Sequence, residues 1–129
     1  MNPKIEYWKN GNKKLEKFRN DRLQFHNENG PAFIRYYENG NKKCESFRND
    51  DNFLHNENGP ALIDYWENGN KKYEAYYIDG ELHNTKGPAD IKYSKTGEII
   101  YKSYWINRAQ IHVNSDKEFQ KHIKLLNIG

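Results

Sequence analysis

One segment of eight residues recurs four times along this chain, and its period limits the fold more than any other feature does. The copies begin at Tyr7, Tyr36, Tyr65 and Tyr93, and the first three share the pattern Tyr-aromatic-x-Asn-Gly-Asn-Lys-Lys. A second motif, His-Asn-x-x-Gly-Pro, follows in step at His26, His55 and His83, with a degenerate copy at His112. The tyrosines are spaced by 29, 29 and 28 residues. A fixed period of this size is typical of an array that stacks one supersecondary unit.

Alternating residues on both sides of each Asn-Gly pair predict a β-hairpin in every repeat. A two-residue turn and a three-residue loop over residues 38–40 both fit the second copy. The three-residue loop places Tyr36 opposite Lys42 and Ile34 opposite Cys44, and we favour it because it gathers the apolar columns onto one face. In that register the isoleucines share a face with Leu15, Cys44, Tyr73 and Tyr101, and the opposite face carries Trp8, Tyr37 and Trp66 with Glu16, Glu45 and Glu74.

Each second strand is followed by a further turn, at 20–21, 49–51 and 79–80, and by a short third strand. Pro31, Pro60 and Pro88 have no N–H to give to a sheet, so each marks a break between units. The predicted repeats are 1–31, 32–60, 61–88 and 89–113. The sequence therefore predicts a single mainly β domain: an elongated, twisted antiparallel sheet of about four tandem hairpins.

The last stretch of the chain changes to a helical pattern. Ser115 and Glu118 match a capping box, and Phe119, Ile123 and Leu126 then follow at helical spacing. We predict a helix over 116–127 whose apolar face covers the last hairpin. Such a cap would protect the end of the sheet from aggregation.

Composition supports a thin, folded sheet with little interior. Hydrophobic residues make up 35% of the chain and the mean hydropathy is −1.22, but the aromatic content of 15% is too high for a disordered chain. Asparagine occurs 18 times and valine once, a bias that we attribute to a low-GC bacterial or viral genome. The single cysteine suits a reducing compartment, and the N-terminal residues predict neither a signal peptide nor a membrane span. These features predict a cytoplasmic protein.

The repeat also resembles a known family. The unit Tyr-Tyr-x-Asn-Gly followed by Leu-His-x-x-x-Gly-Pro-Ala resembles the variant MORN-type repeats of bacterial, phage and giant-virus proteins, and the clearest copies are 54–61 and 82–89. The segment Asn-Ser-Asp-Lys-Glu-Phe resembles the helix that closes many phage arrays. The likeness covers nearly the whole chain. It implies a hairpin array that serves in protein interaction, dimerisation or lipid association, and its YwqK-like group implies an antitoxin.

Three positions of the repeat carry side chains that could act in catalysis or metal binding, and each has a structural interpretation. The four histidines lie at least about 9.6 Å apart across two strand spacings, too far to share one metal ion, so we predict that each bonds turn backbone near Gly-Pro. Glu16, Glu45 and Glu74 beside lysines predict a solvated cross-strand charge ladder. Cys44 takes a position that is filled elsewhere by bulky apolar residues, which predicts a core role. We therefore expect no catalytic residues, no metal and no cofactor.

The strongest candidates for a functional site are the aromatic residues beside the lysine pairs. The predicted partner-binding residues are Trp8, Tyr37, Trp66, Lys13, Lys42 and Lys71. Exposed Trp and Tyr are enriched in protein-binding hot spots. Aromatics interleaved with lysine also suit single-stranded RNA or DNA.

We therefore expect a non-enzymatic protein-binding repeat module, most concretely an inhibitor, an antitoxin-like protein or a phage anti-defence protein such as an anti-CRISPR. It would act by occluding a partner's surface, with the aromatic residues as anchor and the lysine pairs as rim. Two alternatives are a nucleic-acid or ribonucleoprotein binder that uses the lysines and aromatics, and a self-associating scaffold or homodimer.

Overall fold

The computed structural model describes residues 3–20, 22 and 24–126. These residues form an open main sheet of tandem hairpins, and a helix packs at its C-terminal end. The elements are β1 (Lys4–Tyr7), β2 (Lys13–Lys17), β3 (Phe33–Tyr36), β4 (Lys42–Ser46), β5 (Leu62–Tyr65), β6 (Lys71–Ala75), β7 (Tyr77–Ile78), β8 (Glu81–Leu82), β9 (Asp90–Tyr93), β10 (Ile99–Ile106), β11 (Ala109–Ile111) and α1 (Asp116–Leu125). Nine strands pair in the order β1-β2-β3-β4-β5-β6-β9-β10-β11, and β7 pairs with β8. The predicted mainly β hairpin array is confirmed.

Each long hairpin turns through the predicted three-residue loop. In the second repeat, Tyr37 N–H donates to the Asn41 carbonyl at 2.8 Å and Gly40 N–H donates to the Tyr37 carbonyl at 3.0 Å. Gly40 has φ 93°, a left-handed conformation that glycine adopts without steric cost. The glycine that all four of these loops retain therefore has a backbone reason.

The register beyond the loop differs from the prediction because the second strand of each hairpin contains a β-bulge. Tyr36 lies opposite Lys42, as predicted, but Arg35 lies opposite Cys44 and Ile34 lies opposite Glu45. The prediction that Ile34 faces Cys44 is wrong. One extra residue, Lys43, shifts the alternation of the second strand by one position and so exchanges its two faces.

This exchange places the repeated glutamates on the isoleucine face, defined here by Ile34, Ile63 and Ile91. Glu45 is only 6% exposed, where it accepts hydrogen bonds from the Tyr65 hydroxyl at 2.5 Å and from Lys42 Nζ at 3.2 Å. The same trio recurs as Tyr36–Glu16–Lys13 and Tyr93–Glu74–Lys71. The predicted solvated charge ladder is wrong: the carboxylates are buried and hydrogen-bonded between repeats.

These contacts predict that the protein loses stability in alkaline solution. Burial, followed by the hydrogen bond to Glu45, raises the pKa of Tyr65 above its ordinary value of about 10. The folded state thus holds the phenolic proton more tightly than the unfolded chain does. The stabilisation is complete below about pH 10 and is lost as the pH rises towards the folded-state pKa.

Urea unfolding between about pH 8 and pH 12 tests this prediction. The free energy of unfolding should fall above about pH 10, and Tyr65→Phe should make the fall shallower. Tyr7→Phe, at an exposed ring, should keep the wild-type slope. A wild-type profile that is flat, or no steeper than that of Tyr65→Phe, would contradict the prediction.

Pairs of asparagines join the hairpin loops of successive repeats. In the second repeat, Asn39 and Asn41 both donate from Nδ2 to the Glu67 carbonyl, at 3.1 and 2.9 Å. The equivalent pairs are Asn10 and Asn12 onto the Glu38 carbonyl, and Asn68 and Asn70 onto the Lys95 carbonyl. Much of the asparagine content therefore has a structural role, contrary to our attribution to genome composition alone.

The second half of each repeat is a smaller hairpin. It is regular in the third repeat, where β7 pairs with β8, and is reduced to single bridges, Arg19 with Phe25 and Arg48 with Leu54, in the first two. Asn49 Oδ1 accepts from two backbone N–H groups and holds the predicted turn at 49–51. Of the predicted turn at 20–21, residue 21 lies outside the described residues.

The C-terminal helix begins where the capping box predicted. Ser115 Oγ accepts from Glu118 N–H at 3.1 Å, and Glu118 Oε2 accepts from Asn114 N–H at 2.9 Å. Phe119 and Ile123 are buried against the end of β10, which confirms the predicted cap. The prediction for Leu126 is wrong, because α1 ends at Leu125 and Leu126 is exposed. Residue 127 lies outside the described residues.

Within the described residues, no helix is both long enough and apolar enough to cross a membrane.

Candidate protein-interaction surface

One row of aromatic rings and lysines runs along the face of the sheet opposite the isoleucines. We call it the aromatic–lysine row; it consists of Trp8 with Lys14, Tyr37 with Lys43, and Trp66 with Lys72. Each lysine Nζ lies over its ring, at 4.7, 5.7 and 4.7 Å from the ring centroid. These distances fit cation–π contacts.

The polar atom of each ring is bonded to the following repeat. Trp8 Nε1 donates to the Tyr36 carbonyl at 3.3 Å, and Trp66 Nε1 donates to the Tyr93 carbonyl at 3.2 Å. The Tyr37 hydroxyl makes the equivalent bond at 2.8 Å. All three rings are half-buried. They therefore join repeats to one another and leave only part of each ring for a partner.

The bulge sends the two lysines of each pair to opposite faces. Lys13, Lys42 and Lys71 bind Glu16, Glu45 and Glu74 on the isoleucine face, at 3.2, 3.2 and 2.9 Å. The extra residue of each bulge is the other lysine, which lies over the ring. The structure therefore separates Lys13, Lys42 and Lys71 from the aromatic residues with which the sequence grouped them.

At the fourth repeat the row ends in a groove of about 620 Å³. Its lining is Asp64, Trp66, Lys72, Tyr73, Asp90, Lys92, Tyr93, Ile100 and Tyr101. Ile100 is 65% exposed and Tyr101 is 46% exposed, so the groove has an apolar rim open to solvent. Lys92 lies over the Tyr101 ring at 5.3 Å, and Lys95 over the Trp66 ring at 5.4 Å.

Ile100 is the point at which the repeat changes its chemistry. In the fourth hairpin Ile99 lies opposite Tyr93 and Tyr101 lies opposite Lys92, so Ile100 is the extra residue of the bulge. It occupies the position that Lys14, Lys43 and Lys72 fill in the other repeats. A charged position has thus become an exposed apolar one, and Ile99-Ile100 in place of Lys-Lys was the sequence signal for it.

A second departure from the repeat lies on the floor of the groove. Asp90 takes the position of Phe33 and Leu62, and it accepts hydrogen bonds from the Tyr73 hydroxyl at 3.2 Å and from Ser103 Oγ. Burial, with the nearby Asp90 carboxylate, raises the pKa of Tyr73 well above its ordinary value. Burial also raises the pKa of Asp64, which Lys72 opposes. Asp90 therefore fixes the Tyr73 ring between neighbouring strands.

The prediction that the histidines bond turn backbone near Gly-Pro is wrong in place: His55 and His83 bond turns of the following repeat, and His26 Nδ1 bonds the Arg48 carbonyl at 2.7 Å. His55 Nδ1 accepts from Asp79 N–H and His83 Nδ1 accepts from Asn107 N–H, both at 3.0 Å. Asp79 and Asn107 have φ 48° and 47°, so each bond holds a left-handed residue in the following repeat.

The Gly-Pro turns are held by asparagines instead. Their Nδ2 atoms donate to the proline carbonyls, in the pairs Asn27–Pro31, Asn56–Pro60 and Asn84–Pro88. Over 3–20, 22 and 24–126, no group of three or more His, Cys, Asp or Glu side chains is arranged to hold a metal ion.

Cys44 is half-buried on the face of the aromatic–lysine row rather than in the core beside isoleucines. It lies opposite Arg35 and Asp64 in the neighbouring strands. Burial raises the pKa of its thiol, followed by the effect of the Asp64 carboxylate. The thiol is therefore kept protonated and less nucleophilic.

A scan of protein-family models, a search of curated proteins and a search of solved structures each found no match to this chain.

Proposed function

We propose that this chain is a non-enzymatic module that binds a partner protein through the groove of its third and fourth repeats. The observation that carries the proposal is the exposed Ile100, which replaces a lysine of the repeat beside Tyr101, Trp66 and Tyr73. Stacking of the repeats does not need an exposed isoleucine at this position, since the first three carry lysine there. A partner that covers it would gain by removing its apolar surface from water.

The groove has the composition of a protein-binding hot spot. Ile100 and Tyr101 supply apolar and aromatic area, and the Asp90 bond holds the Tyr73 ring in place before a partner arrives. Lys72, Lys92 and Lys95 surround the rings and would contribute charge complementarity at the rim. An inhibitor, an antitoxin-like protein or a phage anti-defence protein such as an anti-CRISPR is the most concrete version of this function. The resemblance to variant MORN-type repeats supports it, and it would act in the cytoplasm by occluding its partner.

Affinity capture from a lysate of the source organism tests the proposal. The bait variant is Ile100→Asp/Tyr101→Ala, and its matched control is Leu125→Asp, at an apolar residue of α1 that is 86% exposed. A protein retained by the wild type and by the control should be lost with the groove variant. With the purified partner, the groove variant should raise Kd by about 100-fold or more, as expected for two hot-spot residues.

Circular dichroism must first show that the groove variant is folded. Retention of the same partner by the wild type and the groove variant, with equal Kd, would contradict the proposal.

A nucleic-acid binder is the second candidate, because Lys14, Lys43 and Lys72 share a face with three aromatic rings. Recovery that nuclease treatment abolishes, with affinity falling steeply between about 50 and 200 mM salt, would favour it. In that case Lys43→Gln should weaken binding and Lys42→Gln should not, since Lys42 lies on the other face with Glu45. Equal effects of the two substitutions would remove the structural reason for this candidate.

A further inference from the structure

β1, the first strand of the first repeat, is an edge strand of the main sheet. β1 pairs with β2 on one side and is last in the strand order. Among the described residues, no strand pairs with its other side. Lys4, Glu6 and Tyr7 are exposed along it. A bare edge presents N–H and C=O groups that can template pairing with another chain.

The sequence of β1 favours pairing with a second copy of itself. Suppose that two copies join antiparallel and that their isoleucine faces form one continuous face. Even-numbered residues must then lie opposite even-numbered residues, and odd opposite odd. Four registers are then centred on a residue of β1, and the one centred on Tyr7 pairs only Tyr7 with Tyr7 within the strand. Centring on Lys4 opposes like charges, and so does centring on Glu6. Centring on Ile5 places Lys4 opposite Glu6 of the second copy twice and Ile5 opposite Ile5.

Opposite charges in cross-strand pairs stabilise a sheet and like charges destabilise it. Charge therefore favours the Ile5-centred register over those centred on Lys4 and Glu6, and its longer overlap favours it over the one centred on Tyr7. Lys4 and Glu6 lie on one face in this register, and Ile5 lies on the other with Glu16. Pro3, which lacks an N–H, falls at the end of the paired segment.

Pairing of β1 with the other end of a second copy is less well matched. Thr96 and Glu98 stand where the earlier loops have their donor asparagines, and Thr96 Oγ1 is bonded to Glu98 Oε1 at 2.5 Å. Ser94 stands where Trp66 is found in the third repeat. A head-to-tail junction would thus lack the asparagine and tryptophan donors that join the repeats within the chain.

We propose that two copies of this chain associate through β1, antiparallel and centred on Ile5, to form a continuous sheet with a groove near each end. The contact is one short strand from each copy, so the association is concentration-dependent. It does not require that the groove bind a partner. If both hold, the dimer is a bivalent binder with one groove in each copy.

Sedimentation equilibrium at low salt over a range of protein concentrations tests the dimer. The wild-type mass should rise from 15.5 kDa towards twice that value. Glu6→Lys and Lys4→Glu should each weaken dimerisation by about tenfold or more, because each converts two opposite-charge pairs into like-charge pairs. Glu38→Lys, an exposed loop change with the same effect on net charge as Glu6→Lys, should dimerise like the wild type.

Mixing Lys4→Glu with Glu6→Lys tests the proposed charge pairing directly. Lys4→Glu carries glutamate at both positions and Glu6→Lys carries lysine at both, so the mixture should dimerise more tightly than either variant does alone. Circular dichroism checks that every variant is folded. A wild type that stays at 15.5 kDa at all concentrations would overturn the proposal. So would dimers that are indifferent to Glu6→Lys, or a mixture that remains monomeric.

Discussion

Replacing Phe119 with alanine is expected to lower the free energy of unfolding by about 3–5 kcal/mol. Phe119 is the largest fully buried side chain among the described residues. Its ring lies 4.7 Å from that of Tyr104, and Ile106 and Ile123 complete the cluster. A sheet this thin has little other apolar interior with which to fill the cavity. The loss should therefore fall at the upper part of the range for a buried aromatic residue.

Urea unfolding followed by circular dichroism measures the effect. Leu125→Ala, in the same helix but exposed, should change the free energy of unfolding by no more than about 0.5 kcal/mol. If Phe119→Ala were as mild as that control, the helix would not stabilise the array, and the capping role would have to be abandoned.

Replacing Glu45 with alanine is expected to cost about 2–3 kcal/mol. The substitution removes the acceptor for the Tyr65 hydroxyl and for Lys42, and it leaves a gap under the isoleucine face. The lysine side chain is about half exposed and can turn to water, which keeps the loss below that of a fully buried ion pair. Glu45→Gln retains the shape and one acceptor oxygen, so its loss should be smaller.

Glu38→Ala is the matched control, because its carboxylate is exposed in a loop and only its backbone carbonyl bonds to another repeat, the preceding one. It should be nearly neutral. A double-mutant cycle of Glu45→Gln with Tyr65→Phe should show a coupling energy, since the two groups are in direct contact. Additive effects, or a neutral Glu45→Ala, would show that this buried contact does not hold the repeats together.

The architecture was predictable because its signals are local and repeated. The period, the Asn-Gly loop and the capping box at Ser115 each depend on residues within a few positions of one another. Each signal also recurs or is reinforced nearby, as the helical spacing of Phe119 and Ile123 reinforces the cap. The three-residue loop was predicted correctly, but the reason for choosing it was wrong, because the bulge places Cys44, Tyr73 and Tyr101 on the face opposite the isoleucines.

The two faces of the second strands were predicted incorrectly for one physical reason. A bulge adds a single residue and moves every side chain beyond it to the opposite face of the sheet, yet no residue type marks the site. Lys42 and Lys43 are neighbouring residues of the same type, yet Lys42 binds the buried Glu45 carboxylate whereas Lys43 lies over the Tyr37 ring. Once the bulge is known, the burial of Glu45 follows directly from its position opposite Ile34.

The groove was missed for a different reason. Asp90 and Tyr73 are brought together only because β9 pairs with β6 across the β7–β8 hairpin. The two departures from the repeat, at residues 90 and 100, were visible in the sequence. Their meeting on one face was not, because it depends on both the strand order and the bulge.

The asparagine pairs give the array a direction. Each of the first three loops donates to the loop that follows it, and the fourth loop has Thr96 and Glu98 where a donor pair would stand. A duplicated internal unit would therefore meet compatible donors and acceptors on both sides. The chain could lengthen by whole repeats while its terminal groove and helix stayed intact. In such an array, the distance between the edge at β1 and the groove would grow by one repeat length for each repeat added.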